Sequence, residues 1–322
     1  MTAVNPHIGA VVIGRNEGAR LTHGLDVLRG QLSNIVYVDS GSSDGSVPAA
    51  KALDVTVIEL DLDQPFTAAR ARNAGLEALR DSPDVRYVQF LDGDCEMQPG
   101  WIPAALAFLE EHADAAVVCG RRRERHPDAS VYNRLIDLEW DTQVGQARAC
   151  GGDAMMRLKA LDAVGGYRDS MIAGEEPELC VRLRAAGWAV WRLDAEMPLH
   201  DAAMTHFGQW WRRARRAGHA YAEGAALHGA PPERHNVAAV RRSLLWGLGV
   251  PVLALVACSL LGGWGALILL AWPLQVLRLW ARSRDLAQGA FLTLVKLPES
   301  LGILQYYRAR VTGRHMGIIE YK

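Results

Sequence analysis

The chain has 322 residues, half of them hydrophobic, and a formal net charge of −1, enough for one large α/β domain with an appended region. Five scattered cysteines without a C-x-x-C pair exclude a disulfide or zinc framework and read as reduced residues of a cytosolic domain. The near-neutral total hides a gradient: residues 1–100 carry 8 Lys+Arg against 14 Asp+Glu, residues 201–322 carry 15 against 6, and such a basic end beside apolar sequence suits an anionic membrane surface.

The first apolar run, Ile8–Ile13, is too short and lacks the basic leader of a signal peptide, so it is read as a buried strand. Ile35–Val38, Val55–Leu60 and Val85–Leu91 are further β-rich runs, with helices expected near 18–29, 45–52 and 67–80 between them. This alternation predicts a mainly parallel sheet covered by helices, an α/β fold whose ligands bind beyond the carboxyl ends of the strands.

The strand tips carry polar clusters. Gly14-Arg15-Asn16-Glu17 follows the first strand, Asp39-Ser40-Gly41-Ser42-Ser43-Asp44-Gly45-Ser46 the second, and Asp92-Gly93-Asp94-Cys95-Glu96 the fourth. Asp92-x-Asp94 at a strand end can direct two carboxylates to one site, and hard oxygen ligands suit Mg²⁺ or Mn²⁺. Such pairs also occur in solvated loops; the place after Val88-Gln89-Phe90-Leu91 favours function. Asp39 is placed to accept hydrogen bonds from a base or ribose, whereas Asp44 is read as turn and cap chemistry. Arg70 and Arg72 lie at the start of a helix, where arginine forks suit phosphate.

Further along, Gly151-Gly152-Asp153, Gly165-Gly166-Tyr167 and Gly174-Glu175-Glu176-Pro177-Glu178 offer backbone freedom and carboxylates. The three glutamates also suit the first turn of a helix over 175–186, started by Pro177. The basic run Arg121–Arg125 is read as a solvated loop in preference to a phosphate site, and His200 as an ordinary surface histidine.

From Ser243 to Leu277 no formal charge occurs over 35 residues. One transmembrane helix needs ~20 apolar residues, so this stretch is too long for one and slightly short for two. Gly262-Gly263 at its centre and arginines on both flanks predict a hairpin over about 243–277 that returns to the cytoplasmic side; the alternative is a buried pair of core helices. Residues 286–307, interrupted by Lys296 and Glu299, are expected to form an interfacial helix. The domain boundary is expected between 1–228 and 229–322.

The succession V-I-G-R-N-E, V-D-S-G-S-S-D-G-S, A-R-A-R-N-A-G, F-L-D-G-D and G-E-E-P-E-L resembles family 2 glycosyltransferases with the Rossmann-like GT-A fold, over about residues 8–222. That resemblance implies that Asn16, Glu17, Asp39 and Arg72 line a nucleotide pocket, Asp92 sits near ribose, and Asp94, with His200, holds a Mg²⁺ or Mn²⁺ ion on the diphosphate. It also implies an acidic pair near the acceptor, matched here by Glu175-Glu176. Glu176 stands where the family commonly has Asp as general base, one methylene longer, which leaves Glu175 as the alternative. Gly152 and Asp153 fall on the acceptor side. The expected partners are a nucleotide-sugar donor, UDP-linked first, a lipid-linked or glycan acceptor and the cytoplasmic face of a membrane, with no nucleic acid. Rival readings are a nucleotidyltransferase, weakened by the lack of a Gly-rich basic loop after the first strand, and a non-catalytic nucleotide-sugar-binding scaffold.

Overall fold

A computed structural model describes residues 5–313. Contacts divide the chain into two compact units, Met1–Ala203 and Met204–Lys322. The boundary thus falls before the helix Phe207–His228, which sequence reading placed in the first domain; this helix packs on the helix Lys296–Thr312.

The first unit begins β1 (Ile8–Gly14), α1 (Ala19–Arg29), β2 (Asn34–Asp39), α2 (Ser46–Ala52), β3 (Thr56–Glu59), α3 (Ala68–Leu79) and β4 (Tyr87–Asp92). These are the four expected strands and three expected helices. β3, β2, β1 and β4 lie side by side in parallel, so that Gly14 pairs with Asp39 and Ile13 with Asp92. All three polar tips therefore emerge along one edge. Thr67 caps α3 by accepting the Arg70 N–H at 3.0 Å. Gly75 lets this helix settle on the sheet, since a Cβ there would lie 2.4 Å from Val11 Cγ1.

The remainder is β5 (Cys95–Met97), α4 (Trp101–Glu111), β6 (Ala115–Glu124), α5 (Val131–Glu139), β7 (Gly145–Ala147), β8 (Ala154–Arg157), α6 (Leu158–Val164), α7 (Glu175–Ala185) and β9 (Ala189–His200). Here the sheet is mixed: β8 runs antiparallel between β4 and β6, β9 is parallel to β6, and β5 and β7 are antiparallel to β9. The expectation of a mainly parallel sheet holds for its first half. The core lies on both faces, with fully buried Ile8, Tyr37, Phe90 and Trp101; the Trp101 indole N–H satisfies buried Gln89 at 2.7 Å.

The second unit is helical: α8 (Phe207–His228), α9 (Val237–Leu244), α10 (Val250–Leu261), α11 (Ala271–Ser283), α12 (Leu286–Leu294) and α13 (Lys296–Thr312). A tight 3-10 stretch, Gly262–Leu270, joins α10 to α11. Gly262 has φ 62° and a Cβ on Gly265 would lie 2.1 Å from the Cys258 backbone, so the chain doubles back at the paired glycines. The stretch Val237–Ser283 is long and apolar enough to cross a membrane; its most apolar window has mean hydropathy 2.3, and only 11% of that window is buried. Leu260 and Trp264 at the bend are 76% and 77% exposed, which removes the alternative of a buried core pair. Residues 286–307 form two successive helices, α12 and α13, rather than one.

Candidate active site

The site lies at the ends of β1, β2 and β4 together with α3, α7, β6 and the loop before β8. Arg72, on the second turn of α3 and 2% exposed, is its hub. Its guanidinium reaches Asp92 Oδ1 at 3.0 Å, Glu175 Oε1 at 2.9 Å and Glu176 Oε1 at 2.9 Å. Three carboxylates from two distant segments of the chain thus converge on one cation. Gly152 sits directly over them: a Cβ there would lie 2.5 Å from Arg72 Nη2, 3.1 Å from Glu176 Oε1 and 3.2 Å from Asp92 Oδ2. Only a residue without a side chain leaves this centre open.

Asp153 is wholly buried; its Oδ1 accepts the Asp92 N–H at 2.9 Å and its Oδ2 pairs with Arg122. Arg122 also lies 3.8 Å from Asp92 Oδ2 and stacks over the Trp140 ring at 5.0 Å. Asp153 therefore fixes the tip of β4 and is a supporting carboxylate as placed. Arg122 belongs to a run that sequence reading left as a solvated loop. It lies instead on β6, where the alternation of the strand turns it inward; the apolar run Ala115–Cys119 just before it was the available signal.

Asp94 and His200 form a second cluster beside the first. His200 ends β9, pairs with Cys95 across β5, and directs Nε2 to Asp94 Oδ2 at 3.2 Å. Both residues are buried, and with Cys95 they offer three possible ligand atoms within 4.8 Å. His200 is thus not a surface histidine. Cys95 donates to Asp94 and Asp153 at 3.7 and 3.6 Å, and burial and then Asp153 push its thiol well up. Glu124, on β6 and 3% exposed, faces the other side of the His200 ring. Burial pushes its carboxyl up, but the facing imidazole and the N–H groups of His126 and Ala202 outweigh this and hold it below the usual carboxylate range.

At the β1 and β2 tips, Asn16 (φ 57°) joins the two loops: its N–H donates to Ser42 Oγ and its Oδ1 accepts the Ser43 N–H, each at 2.8 Å. Asp39 is 2% exposed and accepts from the Tyr37 hydroxyl at 2.7 Å and from the N–H groups of Gly41 and Ser42 at 2.9 and 2.7 Å. As placed, it shapes the loop. Asp44 accepts from Ser46 N at 3.0 Å, in keeping with its reading as turn chemistry. Glu17 pairs with Arg20 at 2.8 Å and lies beside Gly93, next to the β4 tip.

The acidic first turn of α7 divides by role. Glu178 is fully buried and held by Arg182 at 2.7 Å and Arg168 at 3.2 Å, a structural pair within and behind the helix. Glu175 is nearly as deep, its side chain 4% exposed, whereas that of Glu176 is 13% exposed and borders Gly152. Burial, and then the charge of Glu175, push the Glu176 carboxyl up to about 7, while Arg72 opposes the rise. Asp153 is raised by burial against the opposing pull of Arg122. Six carboxylates (Asp92, Asp94, Glu124, Asp153, Glu175, Glu176) thus line or back this region against two guanidiniums, Arg72 and Arg122. A phosphate anion entering there needs an added cation.

The donor set fits a hard divalent ion. Two ligands at ~2.1 Å on adjacent octahedral positions are about 3 Å apart, close to the 3.2 Å between Asp94 Oδ2 and His200 Nε2. Carboxylate and imidazole suit Mn²⁺ or Mg²⁺.

The mixed sheet with acid-rich strand tips defines an α/β domain of the GT-A kind. Residues 10–162 match the family model described as Glycosyl transferase family 2. It is 28% identical over 198 residues to the succinoglycan biosynthesis protein ExoA of Rhizobium meliloti, a match covering 56% of this chain and 58% of that protein. The same identity holds to the pre-mycofactocin glycosyltransferase of Mycobacterium tuberculosis, over 56% of this chain and 39% of that one. The chain thus matches only about half the length of these curated relatives. Among solved structures, the mannosyltransferase PcManGT from Pyrobaculum calidifontis, in complex with GDP-Man and Mn²⁺, shares the fold at a TM-score of 0.63 and 19% identity, covering 94% of this chain and 89% of that one. Glucosyl-3-phosphoglycerate synthase from Mycobacterium tuberculosis, in complex with Mn²⁺ and UDP-Glc, follows at 0.52 and 17%, covering 70% and 79%.

Proposed function

We propose that this chain is an inverting glycosyltransferase that moves sugar from a nucleoside-diphosphate donor, a UDP-sugar first, to a hydroxyl of a lipid-linked or glycan acceptor at the cytoplasmic membrane face. The observation that carries this reading is the pairing of Asp94 with His200 beside the Arg72-centred carboxylate cluster. Asp94 and His200 would hold Mg²⁺ or Mn²⁺, which when bound neutralises the diphosphate and stabilises it as a leaving group. Asn16, Glu17 and Asp39 shape the nucleotide side, and Asp92, held by Arg72, borders the ribose. Glu176 takes the proton of the acceptor hydroxyl as its oxygen attacks the anomeric carbon from the face opposite the leaving group. A carboxyl near 7 is matched to this task at neutral pH, since it is partly ionised and basic enough to receive the proton. Glu175 and Arg72 position it. Gly152 leaves room for the acceptor above the cluster. The test is release of nucleoside diphosphate from a panel of nucleotide-sugars: release stimulated by a lipid-linked acceptor supports transfer, and binding without release in any combination contradicts it.

The second unit supports the membrane part of the reading. The arm from Leu245 to Leu261 is about 25 Å long at 1.5 Å per residue, short of the ~30 Å hydrocarbon core, and it turns back at Gly262. Arg241, Arg242, Arg278, Arg282 and Arg284 flank the apolar stretch at both ends, where anionic headgroups would meet them. Replacing Leu260 and Trp264 together by Asp is expected to abolish co-flotation with vesicles containing anionic lipid while leaving nucleotide binding unchanged. Undiminished flotation would remove the hairpin from the membrane.

A further inference from the structure

Glu124 has no part in the transfer chemistry, yet it is a buried carboxylate at the back of the site, which is costly unless its oxygens are occupied. Its Oε1 accepts from His126 N at 3.0 Å and Asn133 Nδ2 at 3.2 Å, and its Oε2 accepts from Ala202 N at 3.0 Å. The same Oε2 lies 3.8 Å from His200 Nδ1, a buried nitrogen with no hydrogen-bond partner within reach. On the other side of the ring, Nε2 meets Asp94 at 3.2 Å. The imidazole therefore stands between two carboxylates, with the Trp140 ring meeting it edge-on at 4.7 Å. Backbone pairing fixes the arrangement: Glu124 and His200 are opposite each other in β6 and β9, and Arg125 N donates to His200 O at 2.8 Å.

We propose that Glu124 is a positioning residue which holds the proton of His200 on Nδ1 and so presents the Nε2 lone pair to the cation bound with Asp94. This rests on the metal reading of Asp94 and His200 given above. A histidine that ligates a metal by one nitrogen needs its other nitrogen directed to an acceptor, which sets the tautomer and ring orientation and raises the basicity of the ligand. Among the groups around Nδ1, Glu124 is the anion placed to do this. A structural role alone, tying the chain at 124–126 to Ala202, would leave the histidine tautomer and the metal affinity unmoved.

The test uses the full-length protein in detergent. ¹⁵N NMR of the metal-free protein reads the His200 tautomer, with the His200 signal identified by its loss in His200→Ala, and EPR of free Mn²⁺ reads metal affinity. Without metal, Nε2 lies within hydrogen-bonding distance of Asp94 Oδ2 and holds a proton there that the cation displaces; Glu124→Gln is expected to remove the Nδ1 proton, leaving Nε2–H alone, and to weaken Mn²⁺ binding about 10–100-fold. A folded Glu124→Gln protein that keeps the Nδ1 proton and binds Mn²⁺ within about twofold of wild type, the margin below the outer-shell range, overturns the proposal. Should that variant not fold, Glu124→Asp keeps the charge but withdraws it by a methylene; a smaller loss of Mn²⁺ affinity is expected, and no loss overturns the proposal. His200→Ala with unchanged Mn²⁺ affinity would instead overturn the metal reading, and the inference with it; the tautomer signal, read without metal, tells the two failures apart.

Discussion

Glu176→Gln is expected to lower turnover about 10²–10⁴-fold, the usual contribution of a positioned base, while making the protein more stable at alkaline pH. Both effects have one cause. Burial and the neighbouring Glu175 push the Glu176 carboxyl up to about 7 from its ordinary 4.5. A group whose folded value is raised contributes stability that is present below its unfolded value and lost as pH rises through its folded value. Wild type should therefore lose stability between about pH 5 and 8 as Glu176 ionises, and the amide variant should not. At pH 8 the difference is on the order of 1–3 kcal/mol, allowing for the strong coupling to Arg72 and Glu175, or a few degrees in apparent melting temperature. In wild type, kcat/KM should rise with pH through about 7 and then level off, the ascending limb of a base that must be ionised. An amide variant with wild-type turnover would remove Glu176 as the base. One with no gain in stability at pH 8 would show that its carboxylate is not strained.

The second large effect is expected at Asp94. Asp94→Asn keeps the volume and the contact with His200 but removes the negative charge facing it. An ion held by Asp94 and His200 would supply several kcal/mol of leaving-group stabilisation, so turnover should fall about 10²–10³-fold or more when Asp94 can no longer hold it. The effect on binding should be as large, because the surrounding carboxylates repel a diphosphate that arrives without a cation. Asp92→Asn should behave differently. It loosens Arg72, which remains held by Glu175 and Glu176, and leaves the Asp94–His200 pair in place.

The fold's first half and most of the site were legible because the sequence states them locally. Ile8–Ile13 is an uninterrupted apolar run and Val85–Leu91 a β-rich one, both end in polar clusters, and in a parallel sheet those clusters must share one edge. The hairpin was equally visible as 35 residues without charge, broken by Gly262-Gly263. The second half of the sheet was not. β8 is four residues long, and β9 carries Arg192, Asp194 and Glu196 among its apolar positions, so neither reads as a strand alone. The fate of Arg122 and Glu124 follows from this. Inside the basic run Arg121–Arg125 they look solvated, and only the placement of Asp153 on one neighbour and His200 on another turns them into site residues. The division of labour among Glu175, Glu176 and Glu178 was also out of reach. All three suit a helix N-terminus, and what separates them is which cation each meets: Arg72 for the first two, Arg168 and Arg182 for the third. The motifs and the resemblance they carry named the candidate residues, while their burial and partners depended on contacts between remote segments.

The most direct test of a metal-dependent nucleotide site is thermal stabilisation of the detergent-purified protein by UDP, GDP, dTDP and CDP, each with and without Mn²⁺, in wild type and Asp94→Asn. A ligand that binds only the folded state raises its apparent stability. The account predicts that one nucleoside diphosphate stabilises wild type when Mn²⁺ is present, and that Asp94→Asn loses this response. Stabilisation by none of them, or an equal response in Asp94→Asn, would contradict it.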